Sequence, residues 1–218
     1  MSKPLYVFDM DETLINADCA MLWNAFLVRK GIATQANFLE EDKRMMALYA
    51  EGKMDMEDYL TFCMAPLANI PIAQVDALVE ECVAHDILPK QFAQAKTLIE
   101  QLSQDRVDMV IISASVTFLV KAVGQRIGVP TALGINLVEE EGCYTAKISG
   151  IASYREGKVT RLEQWLKAQD EPYSDIHFYT DSINDLPLCE YADYSYLVNP
   201  CPRLRTHANR PNWTVLSW

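Results

Sequence analysis

A chain of 218 residues, half of them hydrophobic, is long enough for one compact domain with an insertion, because the share of surface buried rises with chain size. Its net charge of −11 argues against nucleic acid and anionic membrane surfaces as partners, since neither is attracted to an acidic field. Cys19, Cys63, Cys82, Cys143, Cys189 and Cys201 include no C-x-x-C pair, which argues against zinc ligation and a disulfide framework and for reduced thiols in a cytoplasmic protein.

Leu5 to Phe8 reads as a first strand that stops at Asp9, with no secretory signature before it. Asp9 and Asp11 stand two apart at its end. Extended backbone turns such positions to one side, so both acids can face one reacting centre. Crowded carboxylates repel, and the repulsion is relieved by a divalent cation or by one acid keeping its proton. An ionised acid can then attack and a protonated one can donate. An isolated D-x-D is more often an acidic turn, so the assignment depends on three further segments downstream.

From Asp18 to about Asp86 the periodicity is helical throughout. Gly31 and Gly52 are expected at C′ positions, Thr34 and Asp55 at N-caps, and Pro66 and Pro71 at breaks. Trp23, Phe26, Met45, Met46 and Tyr49 form apolar stripes that suit core packing first and a pocket lining second. A helix near Lys90 to Leu102 leads to an apolar strand from Met109 that ends in Ser113, a small hydroxyl suited to a phosphoryl oxygen. The uncharged stretch from Met109 to Val120 is too short to cross a bilayer.

Residues 131–150 hold a hairpin around Glu139-Glu140-Glu141-Gly142. Lys158 opens a helical pattern whose N-terminus favours anions, although a solvated lysine would read the same way. His177 to Thr180 forms another strand, followed by Asp181 and Asp185, which share a face if a helix starts there and otherwise serve as a cap and a first-turn acid. Trp213 to Leu216 reads as a late edge strand. The alternation after Pro89 implies an α/β, doubly wound parallel sheet with functional residues beyond its strand ends, and Asp9, Ser113 and Asp181 are each expected to end a strand.

Taken in order, strand-DxDxT, strand-Ser, Lys and strand-DxxxD resemble the haloacid dehalogenase-like (HAD) phosphohydrolase superfamily over nearly the whole chain. The resemblance implies a Rossmann-like core, residues 1–17 and 88–218, with an α-helical cap, residues 18–87, inserted between the first two motifs. It implies Asp9 as the nucleophile of an aspartyl-phosphate intermediate, Asp11 as general acid and base, and Ser113 and Lys158 as holders of the phosphoryl group. It also implies Mg²⁺ bound by the Asp9 carboxylate, the Asp11 main-chain carbonyl and Asp181, with Asp185 supporting the metal shell through water and Asn184 binding substrate. Hard oxygen ligands suit magnesium rather than zinc.

The helical cap, Tyr144-Thr145, Gly150 and Asn199-Pro200 look closest to subclass IB, which contains phosphoserine, histidinol-phosphate and phosphatidylglycerophosphate phosphatases. Asp18 lies at the offset where phosphoserine phosphatases carry an acid for the substrate ammonium, and it equally suits a helix cap. Met54 stands where those enzymes place an arginine for the carboxylate, with Lys53 beside it. Thr180 replaces a common glycine, and Ala114-Ser115 replace glycines after Ser113. The expected substrate is therefore a small soluble amine-bearing phosphomonoester such as histidinol phosphate. Phosphoserine hydrolysis and phosphotransfer through the same intermediate are the alternatives, and the oligomeric state is left open. A noncatalytic binding module would be marked by loss of Asp9, Asp11, Ser113, Lys158 or Asp181, and all five are present.

Overall fold

The computed structural model describes residues 3–218. Six parallel strands form one sheet: β1 (Leu5–Phe8), β2 (Asp108–Val116), β3 (Ala132–Ile135), β6 (Ile176–Thr180), β7 (Tyr194–Val198) and β8 (Trp213–Leu216), in the order β3-β2-β1-β6-β7-β8. Val7 at the centre pairs with Val110 on one side and Phe178 on the other. Alternation divides these strands between two faces. Leu5, Val7, Val110, Ile112 and Phe178 join Leu162 of α7 (Glu156–Lys167), Leu188 and Cys189 of α8 (Leu186–Tyr191) and Leu204 of α9 (Pro202–Arg205).

On the opposite face, Phe8, Ile111 and Tyr179 share a cluster with α5 (Ala93–Gln104) and α6 (Thr117–Ile127). That cluster continues into the helical insertion through Trp23 and Phe26 of α1 (Cys19–Arg29), Met45 of α2 (Phe38–Ala50), Leu60 of α3 (Met56–Met64) and Val75 of α4 (Ile72–Cys82). Burial of each such side chain is worth about 1.5–3 kcal/mol, so the insertion is bonded to the sheet by its own core.

Asp18 caps α1 by accepting from Met21 N at 2.8 Å, and Asp55 caps α3 by accepting from Glu57 N and Asp58 N. Gly31 and Gly52 occupy the expected C′ positions. Thr34 does not cap a helix. The chain first closes a turn from Phe38 N to Gln35 O, and Asn37, a residue that tolerates left-handed backbone, starts α2 at φ 62°. The helix expected near Lys90 begins at Ala93, because Leu88–Lys90 forms a 3₁₀ turn and Phe92 N is drawn to Leu14 O.

The expected hairpin consists of β4 (Leu137–Glu140) and β5 (Cys143–Ile148), turning at Glu141 and Gly142. It leaves the sheet and packs on the cap: β5 lies against α3, and Ile72 N donates to Gly142 O at 2.9 Å. Among the described residues, no helix is long and apolar enough to cross a membrane.

Candidate active site

Asp9 leaves the end of β1 with its N–H bonded to Tyr179 O at 2.9 Å, and the next turn folds back as Leu14 N and Ile15 N both donate to Met10 O. Glu12 completes this turn with φ 53°, a conformation that costs a non-glycine residue about 1–3 kcal/mol and persists because the surrounding bonds fix it. Asp9 is only 6% exposed, and its Oδ1 accepts from Lys158 Nζ at 2.8 Å. Thr13 Oγ1 lies 3.4 Å from Asp9 Oδ2 and 3.5 Å from Asp181 Oδ1, which brings those two carboxylates to one place.

Asp11 is held from both sides. Its Oδ1 accepts from Cys19 N at 2.7 Å, and its Oδ2 accepts from Ser113 Oγ and Ser115 Oγ, each at 3.2 Å. Ser113 does not end its strand. β2 continues to Val116, but its pairing with β3 becomes irregular between Ile112 and Val116, and this frees the Ser113 region for the site. Ser115 is a site residue that the family pattern presents only as a departure from glycine. Its i+2 spacing from Ser113 is the one signal of it in the sequence.

Lys158 enters from the first turn of α7. Gly157 before it permits a close approach, since a Cβ there would lie 2.0 Å from Ala152 O. Lys158 Nζ reaches Asp185 Oδ1 at 2.7 Å as well as Asp9. Burial disfavours its charge, but the carboxylates of Asp185 and Asp9 outweigh burial and hold its pKa above the ordinary lysine value.

Asp185 is held by Lys158 Nζ and by Thr180 Oγ1, which donates to it at 2.7 Å. Asp181 and Asp185 do not share an α-helical face. A 3₁₀ turn, Ile183–Asp185, separates them, capped by Ser182 Oγ accepting from Asn184 N. Asn184 Nδ2 donates to Tyr49 O of the cap at 2.9 Å.

Burial, opposed by Lys158, pushes the Asp9 carboxyl up to about 7. Asp181 is raised well above the carboxylate range by burial, then by Asp9 and Asp185. Several buried acids share one local cation, so the site carries an excess of negative charge that a divalent cation would relieve. Among the described residues, no three His, Cys, Asp or Glu side chains form a ready cation cage. The carboxylates of Asp9 and Asp181, which meet at Thr13 Oγ1, are hard oxygen donors of the kind that fits Mg²⁺.

A cavity of about 260 Å³ lies between these groups and the cap. Its floor contains Asp9, Asp11 and Asp181, and its walls include Trp23, Met46, Tyr49, Met54 and Tyr59. Phe26 and Met45 belong to the core instead. Glu12 and Asp18 also line the cavity, and no Lys, Arg or His does. Asp18 thus combines helix capping with a pocket position, and burial followed by the nearby Asp11 raises its pKa to about 8. Lys53 points outward, 70% exposed and paired with Glu51.

The sequence profile described as "haloacid dehalogenase-like hydrolase" matches residues 6–190. The chain belongs to that family. A histidinol-phosphatase of Neisseria meningitidis is 31% identical over 99% of both chains. A crystal structure of a protein of unknown function from Bordetella pertussis is similar at 29% identity and a TM-score of 0.90, covering 99% of each chain. A phospho-aspartyl intermediate analogue of phosphoserine phosphatase, 22% identical, covers 96% of this chain and 92% of that one at a TM-score of 0.70, and shares the fold. Within the family, the chain is a phosphatase, a phosphoric monoester hydrolase.

Proposed function

We propose that the chain is a Mg²⁺-dependent phosphatase that hydrolyses a small, soluble, amine-bearing phosphomonoester, with histidinol phosphate the best candidate, through an aspartyl-phosphate on Asp9. The observation that carries this reading is the convergence of four separate segments: Lys158 bridges Asp9 and Asp185, and Ser113 and Ser115 meet Asp11. Asp9 Oδ attacks phosphorus as the bond to the leaving oxygen breaks, and Asp11 delivers the proton that the alcohol carries away. Asp11 then takes a proton from water, whose oxygen attacks the phosphorus, releasing phosphate and restoring the Asp9 carboxylate. Lys158 and Ser113 hold the charge that shifts over the phosphoryl oxygens. Asp9, Asp181 and the Asp11 main chain would hold the Mg²⁺, which would supply further neutralisation of the phosphoryl charge.

The substrate assignment is supported by the cavity. Acids at Glu12 and Asp18 suit a cationic leaving group, aromatic and methionine walls suit a ring, and there is no basic side chain for a carboxylate. Phosphoserine is therefore the poorer fit. The identity to a histidinol-phosphatase agrees, and six free cysteines agree with a reducing, cytoplasmic setting.

The test is phosphate release from a panel of phosphorylated metabolites, with and without chelator. Histidinol phosphate should lead, phosphoserine should trail, and chelation should abolish turnover until Mg²⁺ is restored. Full activity in a rigorously metal-free sample would refute the metal assignment.

A further inference from the structure

Side chains from three core segments grip one short stretch of the cap. Asn184 Nδ2 donates to Tyr49 O at 2.9 Å, Arg203 Nη1 to Glu51 O at 2.9 Å, and Arg155 Nη2 to Gly52 O at 2.8 Å. These carbonyls lie at the C-terminal end of α2, where a helix carries partial negative charge and cationic donors are favoured. The Tyr154 ring also packs on Tyr49, with centroids 5.4 Å apart, and the Arg155 guanidinium lies 5.4 Å from the Tyr154 ring.

The segment that makes this grip is also tied to the catalytic groups. Ser153 Oγ donates to Ser113 O at 2.5 Å, and Arg155 O accepts from Lys158 N at 3.0 Å. Arg155 itself sits at φ 53°, ψ −126°, a backbone region nearly confined to glycine. Such a conformation is kept only when neighbours impose it, and the bond to Gly52 is one such neighbour. If the cap lifts, Arg155 loses that constraint at the residue where α7 begins, three positions before Lys158.

We propose that Arg155 is a positioning residue that couples seating of the cap to placement of Lys158 against Asp9. The kinetic consequence rests on the phosphatase reading, whereas the mechanical coupling does not. Binding energy from the leaving group, which the cap contacts, would then be expressed at the phosphoryl site through residues 153–158.

Arg155→Gly and Gly52→Ala test this from both sides. Glycine accepts the strained backbone, so Arg155→Gly should fold with an unchanged or higher Tm while losing the grip. A Cβ on Gly52 would lie 2.5 Å from Arg155 Nη2 and must displace it, and because Gly52 sits at φ 68° this variant also strains its own turn and should lose some Tm. Each variant should lower kcat by about tenfold or more with little change in KM, and the double variant should be no worse than the worse single one, because both break one interaction. Hydrogen exchange of the amides of residues 48–53 should quicken in each. Wild-type kcat and exchange in Arg155→Gly, an activity loss in that variant that follows its Tm, or losses that multiply in the double variant would overturn the proposal. If the wild-type protein released no phosphate from any substrate, the function reading would fall, and the exchange measurement would still decide the coupling.

Discussion

The ammonium of Lys158 sits 2.8 Å from Asp9 and 2.7 Å from Asp185, with 1% of its side chain exposed. One buried cation therefore orients the proposed nucleophile and the acid behind it. Lys158→Met should be strongly destabilising, because removing one partner of a buried pair leaves uncompensated charge and typically costs about 3–5 kcal/mol. Burial raises Asp9 even with the lysine present, so in the variant the folded state binds more protons than the unfolded state above the ordinary carboxylate range. Its stability should fall as pH rises from about 4 toward 7 and beyond, and the Tm deficit relative to wild type should shrink on acidification. A deficit independent of pH in thermal melts would show that the carboxylates are not the cause.

Asp9→Asn and Asp11→Asn should fail differently. An amide at position 9 cannot supply the anionic nucleophile, so no phosphoenzyme should form. At position 11 the loss is proton transfer, worth about 10²–10⁴ in rate, and phosphoenzyme should accumulate with an activated leaving group. Acid-quench mass spectrometry of the Asp9 peptide separates the two, and phosphate on any other residue would reassign the nucleophile.

Asp18→Asn should separate recognition from capping. Asparagine keeps an acceptor for Met21 N, so the cap of α1 survives. The wild-type acid is raised to about 8, and between the ordinary carboxylate range and that value the folded state holds the extra proton. Wild-type stability therefore declines over that window as pH rises, and the variant should match wild type near pH 4 and exceed its Tm near pH 8. At the same time kcat/KM for amine-bearing substrates should drop about tenfold to a hundredfold, the worth of a charged hydrogen bond, while p-nitrophenyl phosphate is spared. Equal losses on both substrates would remove Asp18 from recognition.

Met54→Arg should shift specificity toward carboxylate-bearing substrates. Met54 is buried in the cavity wall, and among the described residues no basic side chain lines the cavity. A guanidinium there offers a paired donor for a carboxylate and has acids close by to share its charge. The ratio of kcat/KM for phosphoserine to that for histidinol phosphate should rise by about tenfold, measured as phosphate release, at some loss of Tm. An unchanged ratio would mean that the substrate's far end does not reach position 54.

Four of the six strands, β1, β2, β6 and β8, are legible in the sequence as short apolar runs, and the polar residues that close the first three of those runs carry the family pattern, whereas β3 and β7 are not placed by it. Relationships that exist only after folding are not legible there. The spacing of Asp185 from Asp181 is visible in the sequence, but the reach of Lys158 to Asp185 from 27 residues upstream is not. The bond of Asn184 to a cap carbonyl is equally invisible, because the two lie 135 residues apart. Ser115 stands out only as a missing glycine, yet it shares Asp11 with Ser113. Arg155 carries no sequence signal, since nothing in a run of Ser-Tyr-Arg-Glu announces positive φ.

The hairpin seated on the cap changes how the molecule can be taken apart. Residues 137–148 leave the sheet through a neck where Ser149 N donates to Asn136 O at 2.8 Å, and they dock on the helices by the bond from Ile72 to Gly142. The roof over the site is thus attached by two pairs of crossings, one on either side of β2, and it cannot swing on the first pair without dragging the second. Deleting residues 18–87 would strand the ribbon as an unpaired apolar flap, so a miniaturised form of this enzyme would have to remove both pieces together.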